Sequence, residues 1–367
     1  MSKTKVLRTF KYRLYPTREQ IQIINQTIET CRRLYNYFLE DRIYTFKEIK
    51  IGVSKIEQIN QIPNLKKNNP YYKVVHSQVL QEVAARLDKA YDNFFRHVNL
   101  GREKPGFPKF KGRQHYDSFC YPQSGFSVDS NRLTLSKIGS VKVKLHRPIG
   151  GTAKTCSIIR KNDKYYVCFS CEVEVQALPK TGNVVGIDVG VADFVITSGG
   201  EFFPKVDTYR KAEKHLKYLQ RQVSRRVKGS NRRRKAVKLL AKKHEKVANQ
   251  RKDIAHKVSN KLIKKNDMVA HEDLQVKNMV KNHNLAKSIS DAAWAKLFEF
   301  LAYKASDAGR KVIPVSPYQT SQICSCCGEL VPKKLSQRWH DCPYCGLSIQ
   351  RDVNAAINIL TVATKTN

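Results

Sequence analysis

The first part of the chain alternates between strand-like and helix-like hydrophobic patterns. Lys5–Leu14 places apolar and polar residues in alternation, which predicts a β-strand that ends at Pro16-Thr17. Two apolar stripes with spacings of three and four then predict two helices, separated by a polar connection around Pro63–Pro70. We expect these helices to pack as an antiparallel bundle. The stripes are Ile21, Ile24, Ile28, Cys31, Leu34, Tyr35 and Phe38, and then Val79, Val83, Leu87, Tyr91 and Phe94.

The segment from Ser118 to Val175 changes to short apolar runs between turn residues. Strands at this spacing predict a small β-barrel, which the Lys5–Leu14 strand would complete, so that the helical bundle is an insertion. We expect Pro179–Asn183 to be the boundary to the next domain. The runs are Leu133–Leu135, Val141–Leu145, Cys156–Ile159 and Tyr165–Val175.

Three acidic residues stand at the ends of apolar elements that are far apart in sequence. Asp188 lies in Val184–Thr197, a pair of short strands, while Glu272 ends a short apolar run and Asp352 opens a helix-like segment. A fold can bring such ends together, and a carboxylate cluster can hold two divalent metals about 4 Å apart that activate water and stabilise a leaving oxygen. Magnesium suits these oxygen ligands. Taken alone, Asp188 could equally be a carboxylate that caps a turn.

Lys205–Lys265 is the most basic stretch of the chain, with 23 Lys or Arg residues and four acids. Leu240, Val247 and Ile254 repeat every seven residues, and Gly229-Ser230-Asn231 interrupts the pattern, which predicts a helical hairpin with one apolar seam. A solvated helix face is the alternative. Because so few acids are interspersed, we favour contact with nucleic-acid phosphates.

The last third of the chain contains a further helix, a strand and a cysteine pattern. We expect Asp291 to cap a helix that buries Trp294, and Lys311–Val315 to be a strand. Two Cys-x2-Cys pairs are typical of a zinc ribbon with a closed, structural site. Its four ligands are Cys324, Cys327, Cys342 and Cys345, and the Gly after each pair excludes Cys326. Asp352 follows so soon that we expect the ribbon to position it.

The charge balance indicates a polyanionic partner. Lys and Arg total 68 against 31 acids, a net charge of +37. A membrane surface is the competing polyanion, but no apolar run approaches the roughly 20 residues that span a bilayer, and we recognise no secretory signal. The other six cysteines show no disulfide pattern, so we expect a reducing cytoplasm.

Lys104–Arg113 interleaves basic and aromatic residues, which suits a nucleic-acid backbone; a solvated surface loop is the alternative.

The order of the motifs resembles one known family. GIDVG, HEDL, the two Cys-x2-Cys pairs and RDVNAAINIL are similar to the split RuvC nuclease of transposon-encoded TnpB proteins and, more distantly, of type V CRISPR effectors. LRTFKYRLYPT, KPGFPKFKGR, SISDAAW and SPYQTSQICSCCG extend the resemblance over nearly the whole chain. The family usually has a His-Asp pair before the last Arg-Asp, where this chain has Ile349-Gln350. These positions are not metal ligands, so the departure leaves the acidic triad intact.

The resemblance implies an α/β RNase H-like (RuvC) nuclease with an inserted zinc ribbon and basic helical hairpin, preceded by an N-terminal β-barrel with an inserted helical bundle. The barrel and bundle resemble the wedge domain and recognition lobe that grip guide RNA and target duplex. The expected limits are 1–16 and 100–180 for the barrel, 17–99 for the helical lobe, 181–316 and 349–367 for the nuclease, with 205–265 as its basic hairpin, and 317–348 for the ribbon.

The implied function is RNA-guided cleavage of double-stranded DNA beside a short target-adjacent motif, in the service of transposon maintenance. Asp188, Glu272 and Asp352 would hold two Mg²⁺, the four cysteines one structural Zn²⁺, and a guide RNA from the transposon end would select the target. We expect a prokaryotic, nucleoid-associated protein without a membrane or small-molecule partner. The alternatives are an RNA-guided repressor that has lost cleavage and an RuvC-like resolvase that works without RNA.

The start of the second predicted helix is a candidate surface for reading the target-adjacent motif. Ser77, Gln78 and Gln81 lie clear of the apolar stripe, and Gln can make a bidentate contact to adenine. By the same resemblance, this helix start faces the adjacent-motif duplex, and Gln81 is the best single candidate. A solvated first turn is the alternative.

Overall fold

The computed structural model describes residues 3–205, 207–279, 281, 283–334 and 336–365. The chain separates into two compact units, one from Lys5 to Glu174 and one from Val175 onward. Elements are numbered below in chain order. Among the helices of the described residues, none has the length and apolarity that crossing a bilayer would require.

The first unit is built on a nearly closed seven-stranded sheet with the order β2-β6-β7-β1-β5-β4-β3. The N-terminal strand lies in its middle, where Leu14 pairs with Val143 of β5 in antiparallel register. The helices of this unit therefore connect β1 to β2. The strands are β1 (Lys3–Tyr15), β2 (Ser118–Tyr121), β3 (Phe126–Asp129), β4 (Arg132–Leu135), β5 (Gly139–Lys144), β6 (Thr152–Lys161) and β7 (Lys164–Gln176).

The helices of this unit are α1 (Arg18–Ile49), α2 (Lys55–Asn68) and α3 (Ser77–Asn99), of which α1 and α3 pack against β2 of the sheet and α2 packs against α3. A capping box starts α1, in which the Thr17 hydroxyl accepts from the backbone of Gln20 and the Gln20 side chain accepts from the backbone of Thr17. The stripes of α1 and α3, apart from Phe94, lie in or against one hydrophobic cluster with the inner side chains of the sheet, such as Tyr12 and Phe169. The stripes thus face a core that helices and sheet share.

The prediction of a polar connection around Pro63–Pro70 is wrong in part, because α2 continues through Pro63 to Asn68. Gln58 anchors this helix. It is fully buried, and its side-chain amide donates to the carbonyl oxygen of Phe38 at 2.8 Å and accepts from Arg42 at 3.0 Å. The sequence carries a signal that the prediction did not use, because Ile59, Ile62 and Leu65 recur every three residues and lie in or against the core.

The second unit contains a mixed five-stranded sheet with the order β10-β9-β8-β11-β12. β11 pairs in parallel with both β8 and β12, whereas β9 pairs antiparallel with β8 and β10. The predicted strand Lys311–Val315 is confirmed as β12. The other strands are β8 (Val184–Asp188), β9 (Asp193–Thr197), β10 (Phe202–Pro204) and β11 (Met268–Glu272), and a separate hairpin is formed by β13 (Trp339–Asp341) and β14 (Ser348–Gln350).

Two long helices form the basic stretch of this unit. Val247 of α5 is buried against Ala212 and Leu216 of α4, while Val258 and Leu262 near the end of α5 enter the core of the sheet. The seam therefore joins α4 to α5 at one end and α5 to the five-stranded sheet at the other. The helices of the unit are α4 (Thr208–Ser224), α5 (Asn231–Lys265), α6 (Val276–Met279), α7 (His283–Ala292), α8 (Trp294–Ala308) and α9 (Arg351–Lys365).

Asp291 does not cap the helix that carries Trp294, contrary to the prediction. It lies in α7, and α8 begins after Ala293, which has a left-handed backbone conformation. The Asp291 carboxylate accepts instead from the backbone N–H of Tyr209 at 3.0 Å and from Arg251 at 2.7 Å. Asp291 thus caps α4 although it belongs to another helix. It also forms an ion pair with Arg251 of α5, in which the carboxylate is buried.

Candidate active site and zinc ribbon

Adjacent parallel strands bring Asp188 and Glu272 to the same edge of the sheet. Asp188 is the last residue of β8 and Glu272 the last of β11. His271 is paired with Ile187, so each acid follows directly after a paired position. Neighbouring strands lie about 4.8 Å apart, which makes the two carboxylates neighbours at the carboxyl ends of their strands.

Helix α9 brings Asp352 to this edge because it lies in close contact with β8. A Cβ atom on Gly186 would be 2.1 Å from the carbonyl oxygen of Ala356 and 2.8 Å from the backbone nitrogen of Leu360. Asp352 is one helical turn before Ala356, and Asp188 is two residues after Gly186. The close approach therefore sets the first turn of α9 beside the end of β8.

Asp188 is influenced electrostatically by the other two carboxylates. Burial, together with the negative charges of Glu272 and Asp352, raises the pKa of Asp188 from 3.8 to about 7. A hydrogen bond from the backbone of Val189 and the charge of Arg351 act in the opposite direction without cancelling this effect. Burial also raises the pKa of Glu272, although the Thr320 hydroxyl lowers it. At Asp188, burial and the neighbouring negative charges therefore outweigh the positive charge of Arg351.

Two arginines next to the cluster were not identified from the sequence. Arg351 donates through Nε to Asp352 at 2.9 Å and through Nη1 to the carbonyl oxygen of Gln337 at 2.9 Å. Arg338 lies 4.0 Å from the second Asp352 oxygen. Arg351 directly precedes Asp352 in the sequence, so its place beside the cluster could have been predicted. No sequence feature near Arg338 indicates its position.

The donor set of the cluster fits divalent magnesium. It consists of three carboxylates, of which Asp352 is buried while Asp188 and Glu272 keep part of their surface accessible. Magnesium prefers oxygen ligands and retains several waters, so a partly open carboxylate cluster suits it. A divalent cation would also offset the burial and the neighbouring negative charges that raise the pKa of Asp188.

Gln350, which directly precedes Arg351, caps α9. Its side-chain oxygen accepts from the backbone N–H of Val353 at 2.9 Å, and its amide nitrogen lies 3.4 Å from Asp352. A neutral side chain therefore provides the cap without adding a negative charge to the cluster.

The four predicted zinc ligands converge. The Sγ atoms of Cys324, Cys327, Cys342 and Cys345 all lie within 4.8 Å of one another. Two of the separations, Cys324 to Cys345 and Cys327 to Cys342, are 3.6 Å. Zn–S bonds of about 2.3 Å in a tetrahedron place sulfur atoms about 3.8 Å apart, so the cluster has the dimensions of a zinc site.

The two halves of the ribbon have matching backbone turns. The backbone of Gly328 donates to the carbonyl oxygen of Cys324, and that of Gly346 to Cys342, each at 3.0 Å. Both glycines have positive φ angles, 80° and 75°, which side chains rarely adopt. Cys326 is exposed and is not a member of the four-cysteine cluster.

The three candidate DNA-reading residues differ in their surroundings. Ser77 accepts a hydrogen bond from Lys66 at 2.6 Å. Gln78 accepts from the backbone N–H and the hydroxyl of Ser124, both at 3.0 Å, so it holds a loop of the sheet. Gln81 is exposed. Ser77 is exposed as well, whereas Gln78 is half-buried, so Ser77 and Gln81 are the two accessible residues of the three.

The basic and aromatic loop 104–113 is attached to the helices at both ends. The backbone of Lys111 exchanges hydrogen bonds with Asn36, and its carbonyl oxygen also accepts from Arg32. Phe107 contacts the rings of Tyr91 and Phe94, with centroids 5.6 and 5.2 Å apart. These stripe residues thus pack against the loop.

Comparisons with known proteins identify the family. A protein of Streptomyces pristinaespiralis named "Putative RNA-guided DNA endonuclease" is 33% identical over 365 residues, which cover 97% of this chain and 89% of that protein. One of Escherichia coli K12 with a similar name is also 33% identical, over 97% of this chain and 92% of its own length. A TnpB-like protein of Acanthamoeba polyphaga mimivirus is 26% identical over 61% of this chain and 46% of its own. The chain belongs to the TnpB family.

Family models match three parts of this TnpB-family chain. Residues 168–283 match the model described as "Probable transposase", 294–359 the Cas12f1-like TNB domain, and 1–50 a helix-turn-helix domain. The fold is similar to the Cas12f1–sgRNA–target DNA complex, with a TM-score of 0.53, 14% identity and coverage of 97% and 98% of the two chains. It is also similar to CasPhi-2 bound to crRNA, with a TM-score of 0.56, 12% identity and 98% coverage of both.

Proposed function

We propose that this chain is an RNA-guided, Mg²⁺-dependent endonuclease that cleaves double-stranded DNA beside a short target-adjacent motif. The observation that carries this proposal is the convergence of Asp188, Glu272 and Asp352 on one edge of the sheet, with the pKa of Asp188 raised to about 7. The names of the relatives with 33% identity supply the RNA guide and the DNA substrate. In this role the protein would maintain the transposon that encodes it.

The three carboxylates would hold two Mg²⁺ between the ends of β8, β11 and α9. When bound, such a pair supplies a water nucleophile at neutral pH and stabilises the leaving 3′ oxygen of a phosphodiester. Arg351 neutralises part of the Asp352 charge, and Arg338 extends the positive charge on this side of the cluster. Both guanidinium groups are suited to holding the phosphates that flank the scissile bond.

The outer face of the sheet in the first unit supports an RNA partner. Arg13 is directly opposite Lys144, and Arg132 is opposite Lys142, although like charges in opposed positions destabilise a sheet. The Nη1 atom of Arg13 is buried and has no hydrogen-bond partner among the described residues. The Arg13 guanidinium also lies 5.1 Å from the ring of Tyr166. Phosphates would offset this repulsion, and the exposed ring of Tyr15, which also lies near Arg13, would allow a base to stack.

The remaining domain assignments are part of the same proposal. The barrel (1–16 and 100–180) and the helical lobe (17–99) would bind guide RNA and target duplex, and 181–316 with 349–367 would cut. The basic hairpin, 205–265, would contact nucleic-acid phosphates, with loop 104–113 as a second contact. The ribbon, 317–348, would bind one structural Zn²⁺.

The test uses full-length protein purified with its co-expressed RNA, which is then sequenced. A plasmid library with randomised flanks around a guide-matched target should be cut in Mg²⁺, and sequences that survive cutting should lack one short motif. Asp188→Ala should abolish cutting while guided binding persists. Cutting near the wild-type level by this variant would refute the two-metal assignment.

The same experiment separates the alternatives. An RNA-guided repressor would bind the target without cutting it, even in the wild type. A resolvase would purify without a discrete RNA and cut branched DNA instead of guide-matched duplex. Either result would replace the proposed function.

A further inference from the structure

Thr320 connects the segment before the zinc ribbon to the acidic cluster. Its hydroxyl donates to Oε1 of Glu272, and this hydrogen bond lowers the pKa of the Glu272 carboxyl against the opposing effect of burial. Thr320 is itself only 5% exposed, so the bond is shielded from solvent. Since a carboxylate has two oxygens, a donor on Oε1 fixes the orientation of the group and leaves Oε2 for a cation.

Two asparagines of α9 hold the backbone that carries Thr320. The Asn358 amide donates to the carbonyl oxygen of Thr320 at 2.9 Å and to that of Ile323 at 2.7 Å. Asn354, which is fully buried, donates to Ile323 at 2.8 Å and accepts from the backbone N–H of Ser325 at 2.9 Å. Residues 320–325 are therefore fixed to the helix that presents Asp352.

The same short segment contains the first zinc ligand. Cys324 lies between Ile323 and Ser325, the two residues whose backbone groups Asn354 binds. Closing the four-thiolate cluster therefore fixes the far end of the segment, and the two asparagines fix its middle. A segment fixed in this way holds the Thr320 hydroxyl at Glu272.

The ribbon also reaches the second acid of the cluster. The carbonyl oxygens of Gln337 and Arg338 accept from the Nη1 atom and the backbone N–H of Arg351, at 2.9 and 2.8 Å. Arg351 in turn binds Asp352. Glu272 and Asp352 are thus both oriented by groups that the ribbon fixes.

We propose that Thr320 is a positioning residue for Glu272, through which the zinc ribbon sets the affinity of the acidic cluster for divalent metal. The inference rests on the proposed function, because it assumes that the cluster binds Mg²⁺. Partners that orient a metal ligand typically contribute 10–100-fold to metal affinity, which is the size of effect expected for one buried hydroxyl.

The test compares four variants of the full chain with its RNA: Thr320→Val, Thr320→Ala, Thr320→Ser and the control Thr361→Val. Thr361 is an exposed α9 residue whose hydroxyl, among the residues that the structure describes, bonds within its own helix to the carbonyl oxygen of Ile357. Mn²⁺ binding is measured by calorimetry, with Asp188→Ala as the blank for metal bound to RNA. Zinc content and the Mg²⁺ dependence of cleavage are measured on the same preparations.

Thr320→Val and Thr320→Ala should weaken Mn²⁺ binding and raise the Mg²⁺ midpoint of cleavage about tenfold or more, with zinc content unchanged. Thr320→Ser should restore both within about twofold, because it keeps the hydroxyl, and Thr361→Val should match the wild type. The alanine variant covers the case in which the valine methyl disturbs the ribbon.

An unchanged Mn²⁺ affinity in the alanine variant would overturn the inference, as would a serine variant as weak as alanine. Calorimetry also separates this result from failure of the proposed function. If the wild type binds Mn²⁺ through Asp188 but cuts no guide-matched DNA, the proposed function fails while the role of Thr320 is still decided.

Discussion

Gly186 and Ala356 are in contact through their backbones: a Cβ atom on Gly186 would lie 2.1 Å from the carbonyl oxygen of Ala356. This contact belongs to the interface between β8 and α9, the two elements that carry Asp188 and Asp352. The absence of a side chain at one strand position therefore determines whether two of the three acids can act together.

Gly186→Ala should reduce cleavage at least about 100-fold, because a displacement of about 1 Å in a reacting geometry has an effect of that size. It should also lower the free energy of unfolding by about 1–3 kcal/mol through overpacking. Single-turnover cleavage and denaturant unfolding measure the two effects. Gly199→Ala is the matched control, since its nearest neighbour is the Thr197 hydroxyl at 4.0 Å. Equal activity of the two variants would contradict the prediction.

The metal-free protein should lose stability as the pH rises from about 4 to 7. The folded state holds a proton on Asp188 up to a pKa of about 7, whereas the ordinary value is 3.8, so the folded state binds the proton more tightly than the unfolded state. The cost of ionising Asp188 is absent below pH 4, grows through this window and is complete above pH 7.

Asp188→Asn removes this cost and should therefore be more stable than the wild type at pH 8 in buffer without Mg²⁺ or Mn²⁺, by on the order of a few kcal/mol, with a smaller difference at pH 5. Thermal unfolding at both pH values measures the difference, and the comparison between variants cancels the remaining charge effects. A difference independent of pH would show that Asp188 is ionised in the metal-free fold.

Each chain should contain about one zinc, bound as part of local folding with an apparent free energy of roughly 10–16 kcal/mol. Cys342→Ser should lose this zinc because it opens a closed four-thiolate site, whereas Cys326→Ser should retain it because that thiol is exposed and is not among the four clustered cysteines. Metal analysis by mass spectrometry is the measurement. Folded, active wild-type protein without zinc would exclude the site.

Gln81→Ala should lose roughly 1–3 kcal/mol of discrimination at one base of the target-adjacent motif, since Gln can contact adenine in a bidentate manner. Guide-RNA binding should not change. The randomised-flank library gives the preference at every position. Gln78→Ala is the informative comparison, because Gln78 holds Ser124 and should affect stability instead of base preference. An unaltered flanking preference for Gln81→Ala would leave this residue without a role in recognition.

Local pattern alone determined several parts of this protein. Cys-x2-Cys pairs with glycine turns specify four thiolates wherever they occur, and the structure clusters the expected four. The apolar run Lys311–Val315 was long enough and β-branched enough to predict a strand with its correct ends. Both are signals in which the interacting residues are neighbours in sequence, so that their spacing encodes their geometry.

Only the tertiary structure decided which distant groups meet. Asp291 has the sequence position of a cap for α8, yet it caps α4 and binds Arg251, because burial beside those elements determines its partners. Gln58 of α2 is buried because its side-chain amide donates to the carbonyl oxygen of Phe38 in α1, a partner that its own segment does not indicate. Thr320 likewise has no local signature: its role depends on a hydroxyl that α9 and the ribbon bring to Glu272. Contacts between residues far apart in the chain depend on how whole elements pack, and no periodicity along the chain records that packing.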